Sequence, residues 1–241
     1  MNFNIQSLRL ILFGLISALA FACSSQKTEE STAETPEATP AAEKVAEWQT
    51  LDISAWRNYK ADTISDKWVE EDGVITLSEG GGGDLVSKDK YENFELEMDW
   101  KISEGGNSGI FFRVVEEDSL PKVYSSGPEI QIIDNERHPD AKIEKHRAGD
   151  NYDLEAVSEE NANPAGEWNS FKIISNNGVI EHWMNGTKVI EYEIGSDKWK
   201  EQLANSKFAN WPAYAVSPIG HIALQDHGDQ VWFKNIRIKA L

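Results

Sequence analysis

Three polar residues on one short segment, Glu129, Gln131 and Asp134, have a spacing that suits the cleavage of glycosidic bonds. Glu129 and Gln131 project from the same face of a predicted strand, because strand side chains alternate with a period of two. A β-bulge between Gln131 and Asp134 would bring Asp134 to that face as well. Retaining glycosidases use two such carboxylates, one as nucleophile and one as acid/base. A solvated polar face is the plainer interpretation of the segment taken alone.

A second polar row lies near the carboxyl terminus. Between Gly220 and Leu241 the pattern predicts two strands around a tight turn. Alternation places three polar side chains on one face of the first strand: His221, Gln225 and His227. Glutamine and histidine on an outward face, in place of Lys, Glu and Thr, indicate that this face lines a site.

Arg113 is the cationic candidate. It lies on the predicted strand that begins at Gly109, and it shares a face with Phe111, while Val114 is expected in the core. An arginine that follows an aromatic residue on a strand can hold a hydroxyl-rich or carbonyl ligand. An ion pair with Glu129 is the alternative, and the two roles are compatible.

A long polar loop, residues 138–149, precedes Tyr152 and is typical of segments that wall a site. His138 and Asp140 could ligate a cation, although the pattern favours a turn or capping role for Asp140. His182 shares a face with a methionine, which favours a core position for this histidine. The glycine run at residues 80–83 lacks the Lys-Ser/Thr that a phosphate-binding loop needs, so a flexible loop is predicted.

The amino-terminal segment predicts export. Residues 10–21 form an apolar run too short to span a bilayer comfortably, so residues 1–22 are predicted to be a signal peptide. Cys23, the only cysteine, follows at once and resembles the acylated cysteine of a bacterial lipoprotein; ordinary cleavage is the alternative. Residues 23–46 lack aromatics and predict a disordered tether. We therefore expect a lipid-anchored lipoprotein of the cell envelope, facing the periplasm or the cell surface.

The charge balance excludes one class of partner. The formal net charge of −18 argues against nucleic-acid binding, which needs clustered Lys and Arg. The nine tryptophans suit either core packing or the stacking of aromatic faces on sugar rings.

The chemistry-bearing segments sit within a series of short predicted strands in residues 47–241. The alternation over residues 94–102 is the clearest, and tight hairpin turns are predicted at Asn177-Gly178 and Asn185-Gly186. Only residues 196–206 predict a helix. Many alternating strands and little helix indicate an antiparallel β-sandwich or jelly roll.

Six segments together resemble one known family. They are Asn107–Arg113, Gly127–Asn135, Ala148–Leu154, Gly166–Lys172, His182–Gly186 and Gly220–Gly228. They resemble, in order, the 3-keto-disaccharide hydrolase family, formerly a domain of unknown function. The resemblance implies a concanavalin A-like lectin/glucanase jelly roll, and a carbohydrate as the binding partner.

The activity that this resemblance implies begins at a glycoside oxidised at C3. The ketone acidifies the proton at C2, so a base can remove it, the C1–O bond breaks by elimination, and water then adds. Glu129 or His227 is expected as the base, and Arg113 or a divalent cation as the electrophile. Gln131, Gln225 and Tyr152 are expected to orient the substrate, with Asp134 as a further contact. Glu129, Gln131 and His227 could instead hold the cation.

Three alternatives stay open at this point. A non-catalytic carbohydrate-binding module would keep the polar face and need no base. A retaining glucanase would use Glu129 and Asp134, although laminarinase-type enzymes have Asp where this chain has Gln131. A structural envelope protein with a vestigial groove is the third.

Overall fold

A computed structural model describes residues 47–241 of the 241-residue chain. The predicted signal peptide (1–22) and the predicted tether (23–46), with the lipidation candidate Cys23, lie outside the described residues. No helix in the described range is both long enough and apolar enough to cross a membrane.

Eight strands form the larger of two sheets. They are β1 (Gln49–Thr50), β3 (Trp68–Glu71), β4 (Val74–Leu77), β6 (Phe94–Ile102), β9 (Asn169–Asn176), β10 (Val179–Met184), β11 (Thr187–Glu193) and β13 (Val231–Ala240). Their spatial order is β11-β10-β9-β6-β13-β4-β3, with β1 paired to β13. Every pairing is antiparallel.

Five strands form the smaller sheet, which carries the polar rows identified above. They are β2 (Trp56–Asn58), β5 (Leu85–Ser87), β7 (Asn107–Val114), β8 (Glu129–Ile133) and β12 (His221–Leu224). Their order is β2-β5-β12-β7-β8, again antiparallel throughout.

The core lies between the two sheets and follows from strand alternation. Every second residue of β6, from Phe94 to Ile102, is buried, while the residues between them are partly exposed. Ile110, Phe112 and Ile130 meet them from the smaller sheet in the same apolar cluster. Burial of each such side chain contributes about 1.5–3 kcal/mol relative to exposure. The predicted antiparallel sandwich of the jelly-roll type is confirmed.

Short connections follow their local residue types. Asn177 and Gly178, and likewise Asn185 and Gly186, have positive φ values of 48–87°, which type I′ hairpin turns require. The helix α1 (Asp197–Ala204) lies within the predicted range, and Ser196 caps it by accepting a hydrogen bond from the Trp199 N–H. Short 3-10 helices occupy Ile53–Ala55, Val123–Ser125 and Pro139–Lys142.

The carboxyl-terminal prediction of two strands around a tight turn is wrong. The strands β12 and β13 belong to different sheets, so residues 225–230 cross the edge of the sandwich. At one end of this crossing the Gln225 N–H donates to the Gly109 carbonyl, and at the other the Gln230 carbonyl accepts from the Ser103 N–H. The alternation correctly predicted β12, but a crossing between sheets has the same polar, glycine-containing composition as a hairpin turn.

Candidate active site

A pocket of about 620 Å³ lies on the outer face of the smaller sheet, where the cross-strand register brings the polar rows together. Gly109 is paired with Gln131, and Phe111 with Glu129. Gln225 extends β12 beside Gly109. The lining residues are Asn107, Tyr124, Glu129, Gln131, His138, Pro139, Asp140, Tyr152, Lys207, Phe208, Trp211, Gln225 and His227.

Glu129 is the buried acid of the pocket. Its side chain turns over Gly109, where an added Cβ would lie 2.6 Å from Glu129 Oε1. The residue is only 7% exposed, and no N–H or O–H group of the described residues donates to its carboxylate. Burial raises the pKa of Glu129 to about 8, against the smaller opposing effect of the Lys207 ammonium. Glu129 is therefore suited to accept a proton near neutral pH.

Two buried amide oxygens in the lining have no protein partner. Asn107 Oδ1 and Gln225 Oε1 make no hydrogen bond within the described part of the chain. The third amide, Gln131, accepts a hydrogen bond from the Ile132 N–H through its Oε1. Because an unpaired buried acceptor is costly, the two free oxygens are suited to accept hydrogen bonds from the hydroxyl groups of a ligand.

Lys207 and Tyr152 form one wall of the pocket. The Lys207 Nζ lies 3.8 Å from the centroid of the Tyr152 ring, and the Tyr152 hydroxyl donates to Asp140 Oδ2 at 3.0 Å. The backbone of Tyr152 is fixed as well, since its N–H donates to the Glu129 carbonyl. Burial lowers the pKa of Lys207, and the negative charge of Glu129 opposes that effect.

Two carboxylates and a histidine support this wall from behind. His146 Nδ1 lies 3.0 Å from Asp140 Oδ1, and its Nε2 lies 3.1 Å from Asp153 Oδ1. The second oxygen of Asp153 accepts the Lys207 backbone N–H at 2.6 Å. The chain Asp140–His146–Asp153 thus links the hydroxyl of Tyr152 to the backbone of Lys207.

Three aromatic residues form a wall of the same pocket. The ring centroids of Tyr124 and Trp211 are 5.8 Å apart, and Phe208 packs edge-on against Trp211 at 5.1 Å. Aromatic faces beside hydrogen-bonding groups are the combination that a sugar ring, with apolar C–H faces and polar edges, requires.

His227 sits at the rim, held by the crossing segment. Its ring centroid is 6.4 Å from that of His138. The neighbouring Asp226 carboxylate accepts hydrogen bonds from the N–H groups of Gly81 and Gly83. The glycine run is therefore tied to the 226–228 segment by hydrogen bonds, which the prediction of a flexible loop did not anticipate.

Arg113 does not line the pocket. It has a left-handed φ of 56°, and its register with β12 shifts between His221 and Ala223. Beyond this bulge Val114 packs with Phe111 on the outer face, contrary to the predicted alternation. The Arg113 guanidinium is buried, and its Nη1 faces the Ala215 carbonyl at 3.5 Å. The alternative ion pair with Glu129 is absent from the described residues.

Asp134 lies apart from Glu129 as well. The segment Glu129–Ile133 pairs with β7 without a register shift, so the predicted bulge is absent from this pairing. The Asp134 carboxylate accepts the backbone N–H groups of Gly105 and Glu136. These bonds outweigh the effect of burial and lower the pKa of Asp134. Asp134 lines a separate small pocket of about 190 Å³.

The cation prediction has partial geometric support. Glu129, Gln131 and His227 line one pocket, as that prediction requires. Within residues 47–241, however, no three His, Cys, Asp or Glu side chains are grouped closely enough to hold a metal ion. His138 caps a 3-10 helix by accepting the Asp140 N–H. His182 is fully buried and hydrogen-bonded to the Gly149 carbonyl, as predicted for a core histidine.

Sequence reasoning missed Lys207, Asn107 and the wall formed by Tyr124, Phe208 and Trp211. These residues lie in loops, in a short 3-10 helix or at a strand end, where no periodicity predicts the direction of a side chain. The crowding of aromatic residues between positions 208 and 214, just after the predicted helix, was the one available signal.

A second groove, of about 680 Å³, lies on the outer face of the larger sheet. Its charged groups are paired, as Glu97 is with Arg237, and Asp99 accepts a hydrogen bond from Asn235. The pocket of the smaller sheet instead holds a desolvated acid and unpaired acceptors, so it is the candidate active site.

Comparisons with known proteins agree with this assignment. The 3-keto-alpha-glucoside-1,2-lyase-like domain family matches residues 49–239. A 3-keto-disaccharide hydrolase from Bacteroides thetaiotaomicron is 40% identical over 218 residues, covering 78% of this chain and 75% of that protein. A crystal structure described as a glycosyl hydrolase from Parabacteroides distasonis has a TM-score of 0.74 at 35% identity, covering 79% of this chain and 90% of its own. A second from the same organism has a TM-score of 0.61 at 28% identity, covering 81% and 100%.

Proposed function

Because the chain belongs to the 3-keto-alpha-glucoside-1,2-lyase-like domain family, we propose that it cleaves 3-keto-glycosides by deprotonation at C2. Its class is that of a hydrolase acting on glycosides, as the identity with a named 3-keto-disaccharide hydrolase supports. The family resemblance inferred from the six segments is confirmed. The substrate and the mechanism are the proposal.

The proposed reaction needs one well-placed base. A base takes the C2 proton, and the electron pair forms an enolate with the C3 carbonyl. The enolate then re-forms the ketone while the C1–O bond breaks, which leaves a C1–C2 double bond. Water adds across this double bond, with its oxygen at C1 and a solvent-derived proton at C2, and the sum is hydrolysis of the glycoside.

The buried carboxylate of Glu129 is the observation that carries this proposal. A base that removes a proton from carbon works best when its pKa is close to the working pH. Burial raises the pKa of Glu129 to about 8, whereas an ordinary glutamate would be a weak base at neutral pH. Facing the pocket without a protein donor, this carboxylate is free to approach C2 of a bound sugar.

The rest of the lining is suited to holding a sugar. The free acceptors of Asn107 and Gln225 match hydroxyl donors. The faces of Tyr124 and Trp211 match the C–H surface of a pyranose ring. The volume of about 620 Å³ suits a ligand of small-molecule size.

The classical glucanase alternative is less well supported, because its second carboxylate, Asp134, lies in a different pocket. The alternative of a carbohydrate-binding module remains chemically consistent with the amides and the aromatic wall. A binding module needs no base, and a buried carboxylate such as that of Glu129 lowers the stability of the folded protein when it ionises.

The decisive experiment compares a 3-keto-disaccharide with the same disaccharide before oxidation, each with and without a chelator. We expect free sugar from the keto compound alone, deuterium at C2 when the reaction runs in D₂O, and loss of both in Glu129→Gln. Cleavage of the unoxidised sugar would favour a glucanase. Binding of the keto compound without product under any metal condition would favour a binding module.

We also propose that the chain is exported and lipid-anchored through Cys23, on the strength of the apolar run that precedes this cysteine. Growth of an expressing bacterium with a labelled fatty acid should label the wild-type protein. The Cys23→Ser variant should stay unlabelled. Equal labelling of both proteins would contradict the anchor.

A further inference from the structure

The proposed reaction creates negative charge on O3, and a positively charged side chain in the pocket could stabilise that charge. Lys207 is the only Lys or Arg among the residues that line the pocket. We propose that Lys207 is the catalytic electrophile, with its ammonium donating to O3 of the keto sugar as the enolate forms. This inference rests on the proposed function and replaces Arg113 in the role predicted from the sequence.

The position of Lys207 is set by contacts at both ends of the residue. Its backbone N–H donates to Asp153 Oδ2 at 2.6 Å. Its Nζ lies 3.8 Å from the centroid of the Tyr152 ring and 5.2 Å from that of Phe208. The ammonium is therefore directed along the pocket wall, where a ligand can reach it. An ammonium that lies over aromatic rings still has N–H groups that can donate hydrogen bonds to a ligand.

The charges around Lys207 favour its ammonium form. Burial lowers the pKa of Lys207, and the negative charges of Glu129, Asp153 and Asp140 oppose that effect. The ammonium in turn favours ionisation of Glu129. The two groups are thus electrostatically coupled and opposite in role, one accepting the C2 proton and the other stabilising the oxyanion.

The proton and electron balance closes with these two residues. Glu129 gains the C2 proton, and the C–H electron pair becomes the C2–C3 double bond. The C3 carbonyl becomes an oxyanion, which Lys207 stabilises by a charge-assisted hydrogen bond. When the C3 carbonyl re-forms, the pair moves to the C1–C2 bond and the C1–O pair leaves with the departing oxygen. The proton on Glu129 is then available to that oxygen.

The supporting network distinguishes Lys207 from other lysines of the same region. Asp153 fixes the Lys207 backbone, and His146 joins Asp153 to Asp140, which holds the Tyr152 hydroxyl. Lys200, one helical turn before the end of α1, is 66% exposed and pairs only with Asp197. It offers a matched control on the surface.

The test compares Lys207→Met with Lys200→Met and Glu129→Gln, using a 3-keto-disaccharide. Loss of one oxyanion donor typically lowers kcat by about 10²–10³-fold. We expect a kcat loss of that size for Lys207→Met. KM should change by less than about fivefold, because an interaction made only in the transition state does not contribute to binding of the ground state. The rate of C2 deuterium exchange in D₂O should fall in parallel, because the same oxyanion forms in that step. Lys200→Met should match the wild type.

Chemical rescue separates an electrostatic role from a structural one. Because Cys23 is the only cysteine, Lys207→Cys in a Cys23→Ser background offers a single thiol. Alkylation of that thiol with 2-bromoethylamine restores an ammonium at nearly the original length. We expect the alkylated protein to recover at least about tenfold in kcat, equivalent to about 1.4 kcal/mol. Alkylation with iodoacetamide, which adds no charge, should not restore activity.

The outcomes distinguish this inference from the proposed function. If the wild type processes the keto sugar and Lys207→Met does so within threefold, Lys207 is not the electrophile, and the proposed function stands. Failure of the aminoethylated protein to recover also overturns the inference. If the wild type neither exchanges the C2 proton nor releases sugar, both proposals fall.

Discussion

The most direct physical test of the site is the pH dependence of stability in Glu129→Gln. In the folded chain, burial raises the pKa of Glu129 from 4.5 to about 8. Between these values the folded state binds a proton that the unfolded state has lost, so the stability of the wild type decreases as pH rises. Glutamine is neutral at every pH, which removes this contribution.

The expected size follows from the same pKa values. A rise from 4.5 to about 8 corresponds to an upper limit of roughly 5 kcal/mol. Relaxation and water entry reduce such penalties, so we expect about 2–4 kcal/mol. Near pH 4.5, where the wild-type carboxyl is protonated when folded, the two proteins should be nearly equally stable. By pH 9 the variant should be the more stable one by that amount.

Urea denaturation at several pH values between 4.5 and 9 measures this difference. The other carboxyls with raised pKa values, Asp84 and Asp150, are present in both proteins. Glu79→Gln, whose side chain is 78% exposed, serves as the matched control and should show no such trend. A stability difference that does not grow with pH for Glu129→Gln would refute the claim that this carboxylate is desolvated.

Three further predictions concern the surroundings of the carboxylate. Gly109→Ala puts a Cβ 2.6 Å from Glu129 Oε1 and 3.0 Å from Phe111, so kcat/KM on a keto sugar should fall at least about tenfold. Unchanged kinetics would mean that the reaction does not require the Glu129 carboxylate to lie over Gly109. Asp226→Ala removes the acceptor of the Gly81 and Gly83 N–H groups and should lower the unfolding free energy by about 2–4 kcal/mol in urea titrations. A loss below about 0.5 kcal/mol would contradict the stabilising role of these hydrogen bonds between the glycine run and Asp226. Trp211→Ala removes part of the aromatic wall, so KM should rise by about five- to tenfold while kcat stays within about twofold of the wild-type value. A decrease in kcat alone would instead place Trp211 in the chemical step.

Much of the fold could be predicted from alternation and turn chemistry. The apolar alternation from Phe94 to Ile102 identified β6 without error, and Asn177-Gly178 and Asn185-Gly186 identified two hairpins. The same reasoning placed Glu129, Gln131 and Gln225 on one polar face, and the register places all three in one pocket. Regular strands permit this, because a period of two fixes the direction of each side chain.

The errors concern the places where the backbone leaves that period. The left-handed conformation at Arg113 redirects the guanidinium away from the pocket, and nothing local in the sequence signals it. The prediction placed Asp134 on the polar face by assuming a β-bulge, and the strand pairing lacks this bulge. Lys207 enters from a loop 78 positions after Glu129, where only the packed fold decides which side chain meets which. The residues that the sequence did not identify, such as Lys207, are those whose place in the pocket depends on long-range packing.

The pocket draws its lining from segments scattered between positions 107 and 227, and both the crossing segment and the loop after α1 must be in place. No contiguous fragment shorter than residues 107–227 contains all of these groups. Contacts of such high sequence separation form late during folding, because loop closure must precede them. Partly folded chains should therefore be catalytically silent, and recovered turnover would report completion of the whole sandwich.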